Sequence, residues 1–404
     1  MTVEPLVLDL TGADIQAENE RIRARGPIAL VELPGGVPAW SVTDAVVLKS
    51  LLSDSRVSKD PRQHWSAYIN GDITETWPLQ PWVAAQNMFT AYGPDHRRLR
   101  KLVSPAFTHR RTTEMRPRIE AIVADLLERL SATAPGEVVD LRPNYAYPVP
   151  IRTISELLGV PEHLDADIHA CVDGFFDTSF TPEQAQANFV EMGRLVGELV
   201  AYRRDNPGDD ITSVLTTTRD EDGSRLSETE LIDTLMLVIN AGHETTLNLI
   251  DQAVVALLTH PQQRADVVAG RVPWAELIEE TLRYQAPVAH LPLRYAVEDI
   301  EVGDTLIPKG QAILASYAAA CRDPQLHGAT TADFDVHREN KEHIAFGHGA
   351  HHCLGAPLAR MEAAIALPAI FDRFPDLRLA VDPSELKPLG SFISNGHISV
   401  PVYL

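Results

Sequence analysis

Apolar residues recur at intervals of three and four along most of the chain, which is the spacing of one face of an α-helix. Between residues 116 and 130 this pattern is formed by Ile119, Ile122, Val123, Leu126, Leu127 and Leu130. It predicts an amphipathic helix. Similar patterns predict helices near residues 151–158, 185–204 and 274–284. Helical signals therefore dominate the chain from about Asp44 onward.

The longest helical pattern begins at a capping signal. Ser227 and Glu230 stand three residues apart, the arrangement in which their side chains satisfy the first free amides of a helix. The pattern continues to Thr259, and Pro261 opposes further extension. About 32 residues at about 1.5 Å each give about 48 Å, enough to cross a domain. The centre of this segment, LMLVINAG, is apolar nearly all round, which predicts a buried helix.

Strand signals are confined to two regions. The run IALVEL, the turn-forming PGG and the run AWSVT predict a hairpin over residues 27–43. A second β-rich region over residues 293–316 contains a turn signal at IPKGQ. No linker, charge block or internal repeat divides the chain, so residues 1–404 are expected to form one domain. The predicted fold class is mainly α with a small β portion and a long central helix crossing a single large domain.

Composition and charge restrict the function. The formal net charge of −21 argues against binding to nucleic acid through its phosphates. Cys171, Cys321 and Cys353 are too few and too widely spaced for a disulfide framework. The first residues do not resemble a signal peptide, and prolines interrupt the uncharged stretch 76–94, so no membrane span is expected. We expect a cytoplasmic monomer.

One basic segment opposes the overall charge. Between residues 96 and 118 there are eight Arg or Lys residues and one acid, Glu114. Such a run is often only a solvated helix face. It is also a candidate surface for an acidic partner, or a source of cations for a buried anion.

Cys353 lies in a glycine-rich loop, FGHGAHHCLGAPLAR, that precedes a helical run. Glycines let backbone amides approach a sulfur atom closely, and the positive end of a helix favours the thiolate. A cysteine in this setting is a good soft metal ligand. A lone cysteine is more often a buried apolar residue. The neighbouring His348, His351 and His352 also allow a zinc site, although a closed zinc site usually needs four well-spaced ligands.

Three motifs together decide among these interpretations. The loop has the form Phe-x-x-Gly-x-x-x-Cys-x-Gly from Phe346 to Gly355, EETLR contains a Glu-x-x-Arg at Glu280 and Arg283, and AGHETT begins at Ala241. In this order and spacing, the chain resembles the cytochrome P450 superfamily, specifically the bacterial haem-thiolate monooxygenases of actinomycete type. The resemblance extends almost from end to end. It implies the cytochrome P450 fold and haem b, iron protoporphyrin IX, as the cofactor.

The resemblance also implies roles for individual residues. Cys353 would be the axial ligand of the haem iron, and Phe346 would pack beside the thiolate. Glu280 and Arg283, with Arg338 as a third member, would form a buried ion network behind the haem. The haem propionates would be bound by four further residues, His96, Arg100, Arg294 and His351. Three small residues would contact the cofactor: Gly347, Gly355 and Ala241.

In AGHETT, the small Ala241 and Gly242 would leave room beside the haem, and Glu244 and Thr245 match the acid–alcohol pair of the family. Oxygen activation needs two protons, which a hydroxyl, an ordered water and a nearby acid can supply. Alternatively, the threonine hydroxyl could simply bond back to its own helix. No role is assigned to His243, which is expected on the side away from the haem.

The implied reaction is monooxygenation of a small hydrophobic molecule such as a steroid, polyketide, macrolide or aromatic compound. No flavin or iron–sulfur module is recognisable, so electrons from NAD(P)H would arrive through an external ferredoxin or flavodoxin. Family position suggests Trp65, Trp77, Trp82, Met88 and Phe89 as pocket residues. Residues Val238, Ile239, Val288, Ala289, Leu291 and 392–395 are further candidates. A peroxide-using or redox-neutral haem enzyme and a non-catalytic haem carrier or sensor are the alternatives.

Overall fold

The predicted helices form, and they surround one long central helix. A computed structural model describes residues 4–176, 181–220 and 223–404. Its α-helices are α1 (Ile15–Arg23), α2 (Ala45–Ser53), α3 (Pro61–His64), α4 (Ser66–Ile69), α5 (Gln80–Ala84), α6 (Gly93–Val103), α7 (His109–Glu114), α8 (Arg116–Ser131), α9 (Pro148–Leu158), α10 (Glu162–Phe176), α11 (Pro182–Asp205), α12 (Ile211–Thr217), α13 (Glu228–Thr259), α14 (Pro261–Val268), α15 (Trp274–Tyr284), α16 (Tyr317–Cys321), α17 (Pro324–His327) and α18 (Ala356–Arg373). The helices predicted over 116–130, 151–158, 185–204 and 274–284 are confirmed as α8, α9, α11 and α15.

The central helix α13 has the length and start that its capping signal predicts. It runs for 32 residues, Ser227 Oγ accepts a hydrogen bond from Glu230 N, and Glu230 Oε2 accepts one from Ser227 N at 2.8 Å. Most of its side chains are buried, since α9, α11, α15 and α18 pack around it. The contact with α18 sets the geometry of the site, because α18 begins directly after the Cys353 loop.

The strands form one larger sheet and two small ones. They are β1 (Leu6–Val7), β2 (Ile28–Leu33), β3 (Val37–Val42), β4 (Val57–Ser58), β5 (Val139–Asp140), β6 (Leu291–Ala296), β7 (Ile300–Val302), β8 (Thr305–Ile307), β9 (Ala312–Ala315), β10 (Arg378–Leu379) and β11 (Pro401–Tyr403). The larger sheet has the order β1-β2-β3-β9-β6-β4; the others are β10-β11-β5 and β7-β8. Both predicted β regions are confirmed.

The hairpin of β2 and β3 turns through Gly35 and Gly36, whose φ angles are 78° and 76°. Glycine adopts positive φ values without strain, so two successive glycines explain why the PGG segment forms the hairpin turn. Strand β3 then pairs in parallel with β9, which attaches the hairpin to the second β region. The result is mainly helical with a small β portion, as expected. Within the described ranges, no helix is long and apolar enough to span a membrane.

Candidate active site

A cavity of about 330 Å³ lies between the middle of α13 and the loop that precedes α18. Its wall includes Ala241, Glu244 and Thr245 on one side and Phe346, Gly347 and Cys353 on the other. Much of the remaining wall is apolar: Trp82, Met88, Phe89, Phe175, Phe189, Met236, Leu237, Val238, Val288, Leu291 and Ile393. The two motifs that lie far apart in sequence therefore line the same cavity.

The Cys353 loop folds back on itself so that its thiol reaches the cavity at the start of α18. Cys353 N donates to Phe346 O at 2.9 Å. Gly347 and Gly349 have φ angles of 70° and 69°, and a Cβ on Gly349 would lie 2.5 Å from Leu52 O. The backbone conformation favours glycine at both positions, and at Gly349 the space also excludes a side chain.

The thiol of Cys353 is subject to opposing influences. Burial among protein atoms raises its pKa, whereas amide hydrogen bonds from Gly355 and Ala356 and the charges of Arg100 and Arg360 lower it. Although much of the residue is exposed, its surface lines the cavity. A soft anion-forming ligand surrounded by donors and cations can bind a metal that enters the cavity.

A group of basic side chains converges at the same cavity. Arg100 Nη2 donates to His352 O at 2.7 Å, and Arg294 Nη2 donates to Tyr317 Oη at 3.2 Å. The rings of His96 and His351 lie 4.0 Å apart between centroids. The structure thus brings together all four residues that the sequence suggests for the propionates.

Lys59, which the sequence did not single out, joins this group. It is 3% exposed, and its Nζ lies 3.6 Å from the centre of the Phe89 ring and 3.4 Å from Pro292 O. Burial and, secondarily, the charge of Arg294 lower its pKa well below the usual value. Lys59 follows the short strand β4 in a stretch with no recognisable motif, so local sequence offered no signal for it.

These basic groups fit a ligand with carboxylates. His96 Nε2 and Arg294 Nη1 are buried and have no hydrogen-bond partner among the described residues. Burial, with the charges of Arg100 and Arg97, lowers the pKa of His96 to about 4. The neutral His96 ring donates from Nε2 in the tautomer that carries its proton there, and buried donors without acceptors are costly, so the site favours a ligand that brings anionic oxygens. Two propionate groups would satisfy this requirement.

On the opposite wall, Glu244 and Thr245 are adjacent on α13. Glu244 is 7% exposed; burial raises its pKa, against the lowering effect of Arg142. The Thr245 hydroxyl donates to Ala241 O at 2.8 Å, so its lone pairs remain available to a donor in the cavity. The back-bonded threonine that the sequence left as an alternative is therefore present.

The two residues between Ala241 and Glu244 have other contacts. A Cβ on Gly242 would lie 2.5 Å from Ile154 Cδ1, so this glycine is needed for the approach of α9 as well as for the cavity. His243 is 1% exposed, and its ring makes an edge contact with Tyr147 at 4.5 Å. It does not line the cavity.

Glu280 and Arg283 form a bidentate ion pair with no exposed side-chain area. Arg283 Nε and Nη2 donate to the two Glu280 oxygens at 2.8 and 2.7 Å. Arg338 Nε lies 3.6 Å from Glu280 Oε1, and Asp335 N donates to the same oxygen at 2.8 Å. Arg283 also donates to Thr331 O at 2.8 Å. The pair fixes α15 to the segment that leads to the cysteine loop.

A second network on this side was not anticipated. Glu279 accepts hydrogen bonds from Arg360 at 2.6 and 2.9 Å and contacts His343 Nε2 at 2.9 Å. Burial alone would raise the pKa of Glu279, but these hydrogen bonds lower it to about 2. The Arg360 guanidinium carbon lies 4.5 Å from the centre of the Phe346 ring. Phe346 is thereby held against the cavity.

Several pocket candidates lie in the core instead. Trp65 stacks on Tyr295 with centroids 5.2 Å apart, and Trp77 Nε1 donates to Pro34 O at 2.8 Å. Both are buried away from the cavity, as are Ile239 and Ala289. The aromatic residues before α6 therefore belong to two groups, one in the core and one lining the cavity. Their positions in the fold distinguish the two groups, and the sequence does not.

The basic segment 96–118 is partly neutralised by nearby acids. Arg98 pairs with Glu230, and Arg111 Nη1 lies 3.3 Å from Asp209 Oδ1. Arg97 is exposed. Arg98 and Arg111 are therefore paired with acids of this chain. For the zinc alternative, no cluster of three or more potential His, Cys, Asp or Glu ligands occurs in the described parts of the chain.

Comparisons with known proteins agree with this geometry. The family model described as Cytochrome P450 matches residues 275–388. The "2-hydroxy-5-methyl-1-naphthoate 7-hydroxylase" of Streptomyces carzinostaticus is 48% identical, over 99% of this chain and 97% of its own length. "Cytochrome P450 monooxygenase PikC" of Streptomyces venezuelae is 41% identical over 95% of this chain and 91% of its own.

Solved structures give the same result. CYP154A1 from Streptomyces coelicolor A3(2) matches with a TM-score of 0.92 at 54% identity, covering 99% of this chain and 100% of its own. The structure "Testerone bound CYP154C4 from Streptomyces sp. ATCC 11861" matches with a TM-score of 0.95 at 45% identity, covering 100% of this chain and 98% of its own. Fold, motifs and near-complete relatives agree, and the chain belongs to the cytochrome P450 family of haem-thiolate monooxygenases.

Proposed function

We propose that this monooxygenase hydroxylates a small, mostly apolar molecule bound in the cavity beside α13. The observation that carries the proposal is one apolar cavity bounded by Cys353 on one wall and Glu244 and Thr245 on the other. Among the relatives, one is named as a hydroxylase of a hydroxynaphthoate and one was solved with a bound steroid. We infer a steroid, polyketide, macrolide or aromatic substrate for this chain, and a single catalytic domain over residues 1–404.

In this proposal the thiolate of Cys353 would hold the haem iron. His96, Arg100, Arg294 and His351 bind the propionates, and Lys59 adds a fifth basic group. Around them, Phe346, Gly347, Gly355 and Ala241 contact the cofactor, while Glu280, Arg283 and Arg338 stabilise the fold behind it. The support is the convergence of buried donors, two of which have no partner among the described side chains.

When bound, the haem supplies oxygen activation, in which two electrons and two protons place one oxygen atom in the substrate and release the other as water. The protein must deliver those protons to the cavity without admitting bulk water. The Thr245 hydroxyl donates to Ala241 O and can accept a hydrogen bond from a water in the cavity. Glu244 lies next to it, and its raised pKa suits a group that holds and releases a proton.

Bacterial enzymes of this family take their electrons from ferredoxin-type partners. We propose that a ferredoxin or flavodoxin docks at the exposed part of the segment 96–118, and that the protein works in the cytoplasm as a monomer. Arg97→Glu and Arg110→Glu should slow reduction and weaken its dependence on salt. Arg194→Glu, an equal charge change on α11, should not; identical behaviour of all three variants would contradict this docking site.

The proposed ligation is tested by the absorption spectrum of the reduced protein with carbon monoxide. Wild type should show the band of thiolate ligation, and Cys353→Ser should lose it, whereas the control Cys171→Ala should retain it. Hydrophobic compounds that shift the spectrum are then tested for hydroxylated product with a ferredoxin, its reductase and NAD(P)H. A persistent thiolate band in Cys353→Ser would refute the ligand assignment. Product formed from peroxide but not from the reductase system would refute the proposed reaction.

A further inference from the structure

A row of polar side chains extends from Glu244 to the surface through the interior of the protein. Arg142 Nη2 donates to Glu244 Oε1 at 3.4 Å, and Asn248 Nδ2 donates to the same oxygen at 3.1 Å. Arg142 Nη1 donates to Asp251 Oδ2 at 3.0 Å and to Asn248 Oδ1 at 3.1 Å. Asp251 Oδ1 lies 2.7 Å from His397 Nδ1.

The row is buried except at its outer end. The side chains of Glu244, Arg142 and Asp251 are 9%, 11% and 0% exposed, and that of His397 is 16% exposed. On α13, residues 244, 248 and 251 are spaced by four and three, so they form a polar stripe on one face of an otherwise apolar helix. A buried stripe of this kind persists only if each group has a partner.

The partners come from two segments that are fixed to each other. Asp140 Oδ1 accepts hydrogen bonds from Arg142 N at 3.0 Å and from Val400 N at 2.8 Å. The loop carrying His397 approaches closely because position 396 is glycine, where a Cβ would lie 2.3 Å from Asn248 Oδ1. The contact between this loop and the stripe is therefore built into the backbone.

The hydrogen bonds that described residues donate to Glu244 reach only one of its two carboxylate oxygens. Both Arg142 and Asn248 donate to Oε1, and no hydrogen bond from a described residue reaches Oε2. Because Glu244 lines the cavity, the free oxygen is the one available to a water or ligand there. Arg142 is also shared: it bonds Asp251, whose other oxygen is bound by His397. The hold of Arg142 on Glu244 thus depends on how Asp251 is compensated.

We propose that Arg142 is a positioning residue that orients the Glu244 carboxyl through Oε1, and that Asp251 and His397 regulate its hold on that carboxyl. This inference rests on the proposed role of Glu244 in proton delivery. With Oε1 occupied, the proton resides on Oε2 and faces the cavity. The contacts of His397 with Asp251 compensate that carboxylate and leave more of the Arg142 charge to Glu244, which favours the ionised form of Glu244.

Other titratable groups near Glu244 leave this assignment unchanged. Tyr147, on the first turn before α9, stays neutral because burial and its hydrogen bond to Asp173 raise its pKa. His243, on α13 itself, has its pKa lowered to about 3 by burial and then by Arg142. The charges that act on Glu244 directly are those of Arg142 and Asp251.

The experiment follows the Glu244 carboxyl by infrared difference spectroscopy during a pH titration of the haem-loaded protein, with its C=O band assigned through Glu244→Gln. Arg142→Gln should raise the pKa of Glu244 by about one unit or more, because a neighbouring guanidinium stabilises a carboxylate. Arg142→Lys should raise the pKa of Glu244 by less than Arg142→Gln does, since lysine keeps the positive charge but lacks the forked geometry of arginine. His397→Gln should cause a smaller rise.

Catalytic coupling gives the second readout. Loss of ordered proton delivery should increase the peroxide released per NAD(P)H oxidised at least several-fold in Arg142→Gln, with a larger solvent isotope effect and partial rescue in Arg142→Lys. Two controls separate positioning from simple destabilisation. Arg203→Gln removes a largely buried arginine paired with Asp210, and His337→Gln removes an exposed histidine paired with Asp266. Either can lower the melting temperature, but neither should move the infrared titration.

The outcomes are distinguishable. An unshifted Glu244 titration in both Arg142→Lys and Asp251→Asn would overturn the positioning role, and these two variants decide the matter if Arg142→Gln does not fold. Unchanged peroxide release in Glu244→Gln would instead overturn the proposed function of Glu244. A Glu244 titration that shifts together with coupling in the Arg142 variants, and in neither control, supports the inference.

Discussion

The buried pair of Glu280 and Arg283 allows a prediction whose size follows from the structure. Replacing Glu280 with alanine leaves the Arg283 guanidinium with no exposed area and no counter-ion at hydrogen-bond distance. Breaking a buried pair from one side costs about 3–5 kcal/mol, a large part of the about 5–15 kcal/mol that stabilises a domain. We therefore expect Glu280→Ala to lower the free energy of unfolding by about 3–5 kcal/mol.

The same helix provides a matched control. Glu276 pairs with Lys341 at 2.9 Å, but its side chain is 51% exposed. An exposed pair contributes at most about 1 kcal/mol, so Glu276→Ala should be nearly neutral. Removing both charges of the pair in Glu280→Gln with Arg283→Met should cost less than Glu280→Ala alone, because Arg283 is then not left charged without its partner, while Arg338 loses its acid in both variants.

Urea unfolding of protein with equal haem loading, followed by far-ultraviolet circular dichroism, measures these differences. Haem content per chain is recorded separately, so that a loss of cofactor is not mistaken for a loss of fold stability. If Glu280→Ala destabilises by no more than Glu276→Ala, or if the double variant is worse than the single one, the reasoning from uncompensated burial is wrong.

Three further predictions rest on single contacts. Gly396→Ala should cost about 1–3 kcal/mol, because its Cβ would lie 2.3 Å from Asn248 Oδ1, whereas Gly193→Ala in open helical surroundings should be neutral or stabilising, as measured by urea unfolding. Lys59→Met should speed haem transfer to an acceptor globin by about tenfold to a hundredfold, since a charge-assisted hydrogen bond contributes about 1.5–3 kcal/mol; an unchanged rate would remove Lys59 from the haem site. In the folded protein the pKa of Glu279 is about 2, below its usual value. The stability that the Glu279 carboxylate gives the fold is therefore fully present above about pH 4.5 and is lost as pH falls towards 2. Glu279→Gln should flatten the pH dependence of the free energy of unfolding in that range.

Sequence alone predicted the helices because their signals are local. The capping pair Ser227 and Glu230 and the proline at 261 lie at the ends of α13, and the periodicity of α15 begins and ends within the helix itself. The strand order could not be predicted in this way. Parallel pairing of β3 with β9 joins residues 39–42 to 312–315, and neither segment carries a mark of the other.

The site residues show the same difference between local and long-range signals. Cys353, Glu280 and Glu244 were found because each stands in a motif with a required spacing. Lys59 and Arg142 were missed because their significance arises only when distant segments meet. A lysine after a short strand looks like any surface lysine in sequence. Its burial against an aromatic ring, in a space shared with other basic groups, is a property of the fold.

The cavity joins two charge environments that the protein compensates differently. On the side of Lys59 and Arg294, His96 Nε2 and Arg294 Nη1 lack partners among the described residues, which favours an anionic cofactor and makes its affinity depend on these basic side chains. On the side of Glu244, two carboxylates share Arg142, so compensation is internal and incomplete. A fully compensated acid would hold its charge permanently and could not exchange a proton in each turnover. In the proposed function, incomplete compensation beside an apolar cavity serves proton delivery and the basic side chains opposite serve cofactor binding, so mutations on the two sides should separate haem loss from uncoupling.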